Sequence, residues 1–585
     1  MSAVLGRDSN IVPRWDLGLR QRGKALAWSL GVLYAIAIIG LWAVYRIEDT
    51  VVLNVGNSYA RPYLHRFLTD EHNDQIDYTY TTSGSALVLP GLGSGQYRVR
   101  LGVSGWRPPP YTTPALTLRS GSFVTTFPLR HINHVVAYEL IFPPTLGDLS
   151  IGFDSDLYTP SPDDPRMLGV ALDWVEVQRL GSLPPLTTTA LLLALVTLFW
   201  WFWLRVGLSA PNAALLTSVL LLSLLAGLLQ ARILITVGLS RWVIALLLLH
   251  LLLWPLQRIV RGGIERYNLE VSPAAWSWLW AIFGMALLFK LGGMLYPHGI
   301  FFDEAAHTKR VDMLLRGRFM ELYQPGYTSY MGVTVGLEGG FMPYSPLWYL
   351  IIAPLRMIGI PIGDAMNGLS AILDATKGLM IFVITQATLR RQRAALLASG
   401  IYQLLPMPYF LLSWGNYPTQ FGLWASLLAI TYLALHYQQM QVIRQWRPFT
   451  VWVALLALAI LSYTMIGVIA FTMFGILIVI KAAQGFKMNR HLIYALVAGM
   501  LLAEALAFSV YHVQFVPIIT QTTIPSVVER ITQKVSDDPR TEVEPQGTPL
   551  TSFVANVSFL RNHSTDPLLM LALIGLVWLY IDSRG

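Results

Sequence analysis

Asp303 and Glu304 stand side by side in the run Tyr296-Pro-His-Gly-Ile-Phe-Phe-Asp-Glu-Ala-Ala-His307, with Lys309 and Arg310 close behind. A carboxylate here could act as general base on an acceptor hydroxyl, and the pair could help hold a divalent cation. The basic neighbours could offset the charge of a phosphate leaving group. On a helix, His307 shares a face with both carboxylates. The same residue types also have a structural use, because Asp303 is well placed to cap the helix that follows and Glu304 is favoured in its first turn by the dipole. The spacing alone leaves both readings open.

Two elements must position this pair. Before it, the apolar run from Pro273 to Tyr296 carries one internal charge, Lys290. At ~1.5 Å per residue it is long enough to cross ~30 Å of hydrocarbon, which places Asp303 and Glu304 just beyond a membrane surface. After it, Val311, Leu314, Leu315, Phe319 and Leu322 recur at helical spacing between Ala305 and Leu322, a pattern that predicts an amphipathic helix lying on the interface. The composition agrees, since a chain of 585 residues that is 54% hydrophobic and 13% charged, with a mean hydropathy of +0.52, is a multispanning membrane protein. The absence of cysteine excludes disulfides, thiol catalysis and Cys-ligated zinc. The +8 formal charge does not argue for nucleic acid, because in such a protein basic residues mark cytoplasmic loops and lipid headgroups.

In chain order, the sequence predicts a cytoplasmic segment over 1–25, a retained anchor over 26–45 and an extracytoplasmic domain over 46–182. Short alternating runs punctuated by Pro90-Gly-Leu-Gly-Ser-Gly95 and Arg107-Pro-Pro-Pro-Tyr111 make that domain an all-β sandwich. Its run Gly169-Val-Ala-Leu-Asp-Trp-Val-Glu-Val177 looks like the closing strand of a jelly-roll carbohydrate-binding module. Asp154-Ser-Asp156, which has the form of a metal-binding pair, lies beside prolines and reads as a solvated turn. Three spans follow over 183–272, then a transmembrane core over 273–512 with an outer loop at 297–346, a second outer loop at 513–566, and a last span and cytoplasmic end over 567–585. The short run Leu347 to Ile360 is taken as interfacial or re-entrant.

Counting Lys and Arg on alternate loops gives about 12 crossings in a cell (plasma) membrane, a cytoplasmic amino terminus and the carboxylates outside. On that count Asn416, Tyr417 and Pro418 share the outer face with Asp303 and could line the same cavity, although a plain turn would use the same residue types. Glu338, between glycines, is a further candidate. Lys290 and Glu504 are intramembrane charges, costly enough in lipid to be functional suspects unless they snorkel or pair.

The outward-ending helix, then Phe302-Asp-Glu-Ala-Ala-His307, Leu314-Leu-Arg-Gly317 and Pro343-Tyr-Ser-Pro-Leu-Trp-Tyr349, resembles the GT-C glycosyltransferases, most closely their protein O-mannosyltransferase and aminoarabinose-transferase branch. The resemblance covers about a third of the chain, from Pro273 to Ile480. It departs from the family pattern in reading Ser345-Pro-Leu-Trp-Tyr349 and in the four spans and β domain that precede the site. It implies transfer of sugar from a polyprenyl-phosphate donor to an unknown lipid, glycan or protein acceptor. Asp303 would be the base and Glu304 its acidic companion, with His307, Lys309, Arg310, Asn416 and Tyr417 as substrate-binding candidates. Two rival classes are a transporter or flippase of lipid-linked glycans, which would show paired intramembrane charges and broken helices, and a membrane-anchored carbohydrate-binding surface protein.

Overall fold

The computed structural model describes residues 19–516, 520, 521 and 525, except 48–49, 73–75, 133, 146, 182, 296–300, 302, 324–344, 441–445 and 464. Glu338, most of the 297–346 loop, and the second outer loop and last span expected over 513–585, apart from a few residues at its start, therefore lie outside the description. The chain divides into two compact units, one of residues 1–254 with 296–299, the other of residues 255–295 with 300–585.

The first unit begins with α1 (Leu19–Arg46), continues into a β domain, and returns to α2 (Leu186–Arg205) and α3 (Ala210–Gln230). The β domain is a ten-stranded antiparallel sheet. One layer places β10 (Ala171–Arg179) between β1 (Thr50–Asn54) and β5 (Gly95–Ser104), with β8 (Val136–Thr145) beyond β5. The other pairs β9 (Leu149–Asp154) with β6 (Ala115–Ser120), and β6 with β7 (Phe123–Pro128). Strand β4 (Asp77–Leu89) joins the layers: Thr79 and Tyr80 pair with β10, while Ser85 to Leu89 pair with β9. Gly84 lies between these halves with φ +74°, a value that glycine adopts without steric cost. Two short strands, β2 (Leu64–Phe67) and β3 (Glu71–His72), also lie on β4.

The sandwich is thus one sheet bent back on itself and nearly closed. At its open seam Phe123 of β7 meets Phe142 of β8, and Phe127 meets Tyr138, each with ring centroids 5.2 Å apart. Alternation does the rest, because Val99, Leu101, Val103, Leu116, Leu118, Ile151, Phe153, Val175 and Val177 all point into one core. The strand that resembles a closing strand, β10, is interior to its layer. Asp154 ends β9 and lies 3.7 Å from Arg119, as a surface pair does.

Helix α4 (Arg232–Arg266) follows, longer than the apolar run suggests. Pro255 lies within it without ending it, so Arg258, Arg261 and Arg266 extend the same helix where a loop was expected. The second unit then contains α5 (Pro273–Met294), α6 (Glu304–Leu315), α7 (Leu347–Met357), α8 (Ile362–Leu389), α9 (Gln392–Leu404), α10 (Pro406–Ser413) and α11 (Tyr417–Leu435). A short turn α12 (Tyr437–Met440) leads to α13 (Trp446–Ser462), α14 (Met465–Ala483) and α15 (Phe486–Val510).

Among the described residues ten helical segments are long and apolar enough to cross a bilayer. Helices α7 and α13 are apolar but shorter. The segment 392–413 is one crossing by length but two helices by backbone. Leu405 sits at φ −61°, ψ 133°, because the residue before a proline is pushed out of the helical region, and Pro406 restarts the helix at its first turn.

Candidate functional site

Asp303 precedes the first residue of α6, and its backbone is fixed at both faces: its N–H donates to the Trp414 carbonyl (3.0 Å) and its carbonyl accepts from His307 N–H (3.0 Å). Its side chain makes no capping hydrogen bond to α6. The carboxylate is half-buried, and burial pushes its pKa above the ordinary carboxylate value while Arg310 pulls it back. Of the two open roles for Asp303, the helix start is real, but the carboxylate is not spent on it.

Glu304 is held from the side. Asn367 Nδ2 on α8 donates to its Oε2 (3.2 Å), and Tyr417 OH on α11 donates to Asn367 Oδ1 (2.6 Å). Gly363, on the first turn of α8, makes room for the other oxygen, since a Cβ there would sit 2.2 Å from Glu304 Oε1. Gly415 does the same for the backbone. At φ +71° it turns the chain into α11, and a Cβ on it would lie 3.2 Å from Glu304 N and 3.3 Å from Tyr417 OH. The structure therefore brings the 414–417 turn against the carboxylates. Asn416 itself serves the turn, its Oδ1 accepting from Thr419 Oγ1 (2.6 Å) and its carbonyl from Gln420 N–H (3.1 Å).

His307 is only 2% exposed. Its Nδ1 is 2.9 Å from Tyr349 OH, and its ring packs edge-on to Tyr417. Burial drives the imidazole from 6.5 to about 3, and Arg310 works in the same direction, so the ring is neutral. The neutral, enclosed imidazole of this substrate-binding candidate joins α6 to α7 and α11. Trp348 stacks on Tyr417, with centroids 6.2 Å apart and planes 9° from parallel. Lys309 is exposed and Arg310 half-buried on α6. Among the described residues no three His, Asp or Glu side chains converge as metal ligands. Among the described residues, the divalent cation considered for Asp303 and Glu304 would have those two carboxylates, one of them already bonded to an amide.

Two tests follow from this packing. The Gly363→Ala change is itself helix-favourable by roughly 0.5–1 kcal/mol, and the atom it strikes ends a flexible side chain, so the fold should persist. The Glu304 carboxylate must shift against its Asn367 bond, however, and in a catalytic pair a displacement of about 1 Å should lower activity on the order of 10²-fold. Unchanged activity in a folded variant would refute the role of this clamp. The second test uses pH. His307 stays neutral in the fold while a free imidazole with its ordinary value of 6.5 takes up a proton, so its contribution to stability is full above 6.5 and is lost as the pH falls toward about 3. Asp303 acts in the opposite sense: the fold disfavours its ionised form, so it disfavours the fold above its raised pKa, and that penalty is relieved as the pH falls. The melting temperature of the wild type should therefore drop more between pH 7.5 and 5 than that of His307→Gln.

Deeper in the same unit lies a polar network that the sequence reading passed over except for Lys290. Lys290 Nζ of α5 is 2.7 Å from Asp374 Oδ2, and Lys377 Nζ donates to Asp374 Oδ1 (2.9 Å), with the Asp374 side chain wholly buried. Tyr402 OH also donates to Asp374 Oδ1 (2.9 Å). Lys377 donates to Gln420 Oε1 (2.8 Å), and Lys290 donates to Gln403 Oε1. Tyr402 and Gln403 come from the last turn of α9, at the break before Pro406. The signal was available, because Asp374 and Lys377 are charges one turn apart inside an apolar run. Glu504, the other suspect, lies on α15 beside Gly467, where a Cβ would be 3.2 Å from its Oε2.

Fold and site together define an integral membrane protein with ten helices long and apolar enough to span among the described residues, a separate antiparallel β domain, and a carboxylate pair at the start of a short helix. Against protein families, characterised proteins and solved structures, the chain has no match.

Proposed function

We propose that the protein is a membrane glycosyltransferase that moves a sugar from a polyprenyl-phosphate donor to an acceptor on the extracytoplasmic face. The observation that carries this reading is the unequal treatment of the two carboxylates. Glu304 is clamped by Asn367, itself held by Tyr417, while Asp303 has its backbone fixed and its carboxylate left unspent on capping. That division suits a positioned acidic companion and a working base. In the reaction, the acceptor hydroxyl oxygen attacks the anomeric carbon as its proton passes to Asp303. The bond from that carbon to the phosphate oxygen breaks, and its electron pair leaves with polyprenyl phosphate. Lys309 and Arg310, on the same helix, would meet the charge on that phosphate. The test is to reconstitute the protein in membrane extract with polyprenyl-phosphate sugars labelled in the sugar. Label appearing in a product without the polyprenyl chain, with release of polyprenyl phosphate, supports the reading; label remaining on the donor with every sugar tried counts against it.

Translocation of a lipid-linked glycan is the second reading. Two features favour it, the paired intramembrane charges Lys290, Asp374 and Lys377 and the helix broken at Leu405 beside them. It lacks the two related halves that such transporters carry, since the sequence has no fixed-period repeat. A flipping assay in proteoliposomes with fluorescent lipid-linked sugar separates the two.

A further inference from the structure

The buried network beneath the site sets two lysines against one carboxylate. Two ammonium groups, Lys290 and Lys377, share the single carboxylate of Asp374, and the remaining partners, Tyr402, Gln403 and Gln420, are neutral. With both lysines protonated and Asp374 ionised, the cluster holds one net positive charge inside the membrane span, where such a charge is costly to keep unless it is used.

Its position relative to the carboxylates follows from the helices they share. On α8, Asn367, Ser370, Asp374 and Lys377 recur at helical spacing, and all four are buried. Asn367 holds Glu304 at one end, and Asp374 with Lys377 forms the cluster at the other. Ser370, wholly buried between them, has an Oγ that meets no hydrogen-bond partner among the described residues. On α11 the same link is made in one turn, Tyr417 bonding to Asn367 and Gln420 to Lys377. At ~1.5 Å per residue the cluster lies about 10–15 Å along α8 from Asn367.

We infer that the Lys290–Asp374–Lys377 cluster sets the preference of the site for an anionic phosphate group, acting by its field and not by contact. This deepens the transferase reading and rests on it. A unit charge about 12 Å away, at an effective dielectric of about 20, changes the affinity for a singly charged group about tenfold. The effect is little screened by salt, because the cluster is buried.

The test compares polyprenyl phosphate with the uncharged polyprenol of the same chain length, bound to the protein in zwitterionic nanodiscs. Lys290→Met on α5 and Lys377→Met on α8 each remove one positive charge and leave the other lysine paired with Asp374. The wild type should prefer the phosphate, and each variant should lose about tenfold of that preference while polyprenol binding is unchanged. Agreement between variants on different helices separates charge from local packing, because a packing defect would weaken both lipids alike. A wild-type preference that survives in both variants, or equal losses for the two lipids, overturns the inference alone. No preference in the wild type overturns the transferase reading and this inference with it.

Discussion

Replacing Asp303 by asparagine should lower sugar transfer by about 10²–10⁴-fold, the range that a positioned general base contributes. Stability should hardly change, for a structural reason: the carboxylate makes no capping bond to α6, and asparagine is as good a residue at that position as aspartate. Donor binding should be equal or tighter, because the change removes a negative charge next to a phosphate-bearing ligand. The loss should therefore fall on turnover and not on apparent affinity, the mark of an interaction made only in the transition state. Activity that depends on the base should also fall on the acid side at a higher pH than an exposed aspartate would give, since burial raises the Asp303 pKa. Glu304→Gln should cost less, as its amide can still accept the Asn367 bond. Single-turnover rates of donor consumption measured across pH for both variants check these expectations. A folded Asp303→Asn protein with wild-type turnover would remove the base from the scheme.

The second large effect concerns stability. Asp374→Asn keeps the shape of the side chain but leaves Lys290 and Lys377 buried together with no carboxylate between them. Removing one partner from a buried ion cluster typically costs about 3–5 kcal/mol, since the uncompensated charge remains. The variant should melt far below wild type in detergent, or fail to survive extraction, as read by size-exclusion chromatography after heating. Replacing all three groups together, as Lys290→Met, Asp374→Leu and Lys377→Met, should restore much of the lost stability, because apolar side chains then fill the space without stranded charge. A single Asp374→Asn protein as stable as wild type would mean that one of the lysines is held neutral, and the net charge assigned to the cluster would be wrong.

Much of this architecture was legible in the sequence because hydrophobic patterning is a long-range average. The long apolar stretches of the sequence fall within the ten long helices among the described residues. The start of α6 at the Asp303-Glu304 pair could be read from residue type, and so could the turn at Asn416-Tyr417-Pro418. Strand β4 was hidden, because its middle, Thr81-Thr-Ser-Gly-Ser85, carries no apolar alternation and its shape depends on Gly84. The break at Leu405 was written in Leu405-Pro-Met-Pro408, but a hydropathy window smooths over a single bend. The same averaging concealed Asp374 and Lys377, two charges among many apolar neighbours. Asn367 and Gly363 had no signal of their own, since what they do depends on α8 lying against the first turn of α6.

The central claim is that the Asp303–Glu304 site works on a polyprenyl-phosphate-linked sugar, and the lipid that the protein carries tests it most directly. The protein would be purified gently, its bound lipids extracted, and the wild type compared with an Asp303→Asn, Glu304→Gln variant by mass spectrometry. The account expects a polyprenyl-phosphate sugar in the extract, more abundant with the inactive variant and accumulating in the cells that make it. Bulk phospholipid alone in both samples would contradict the account.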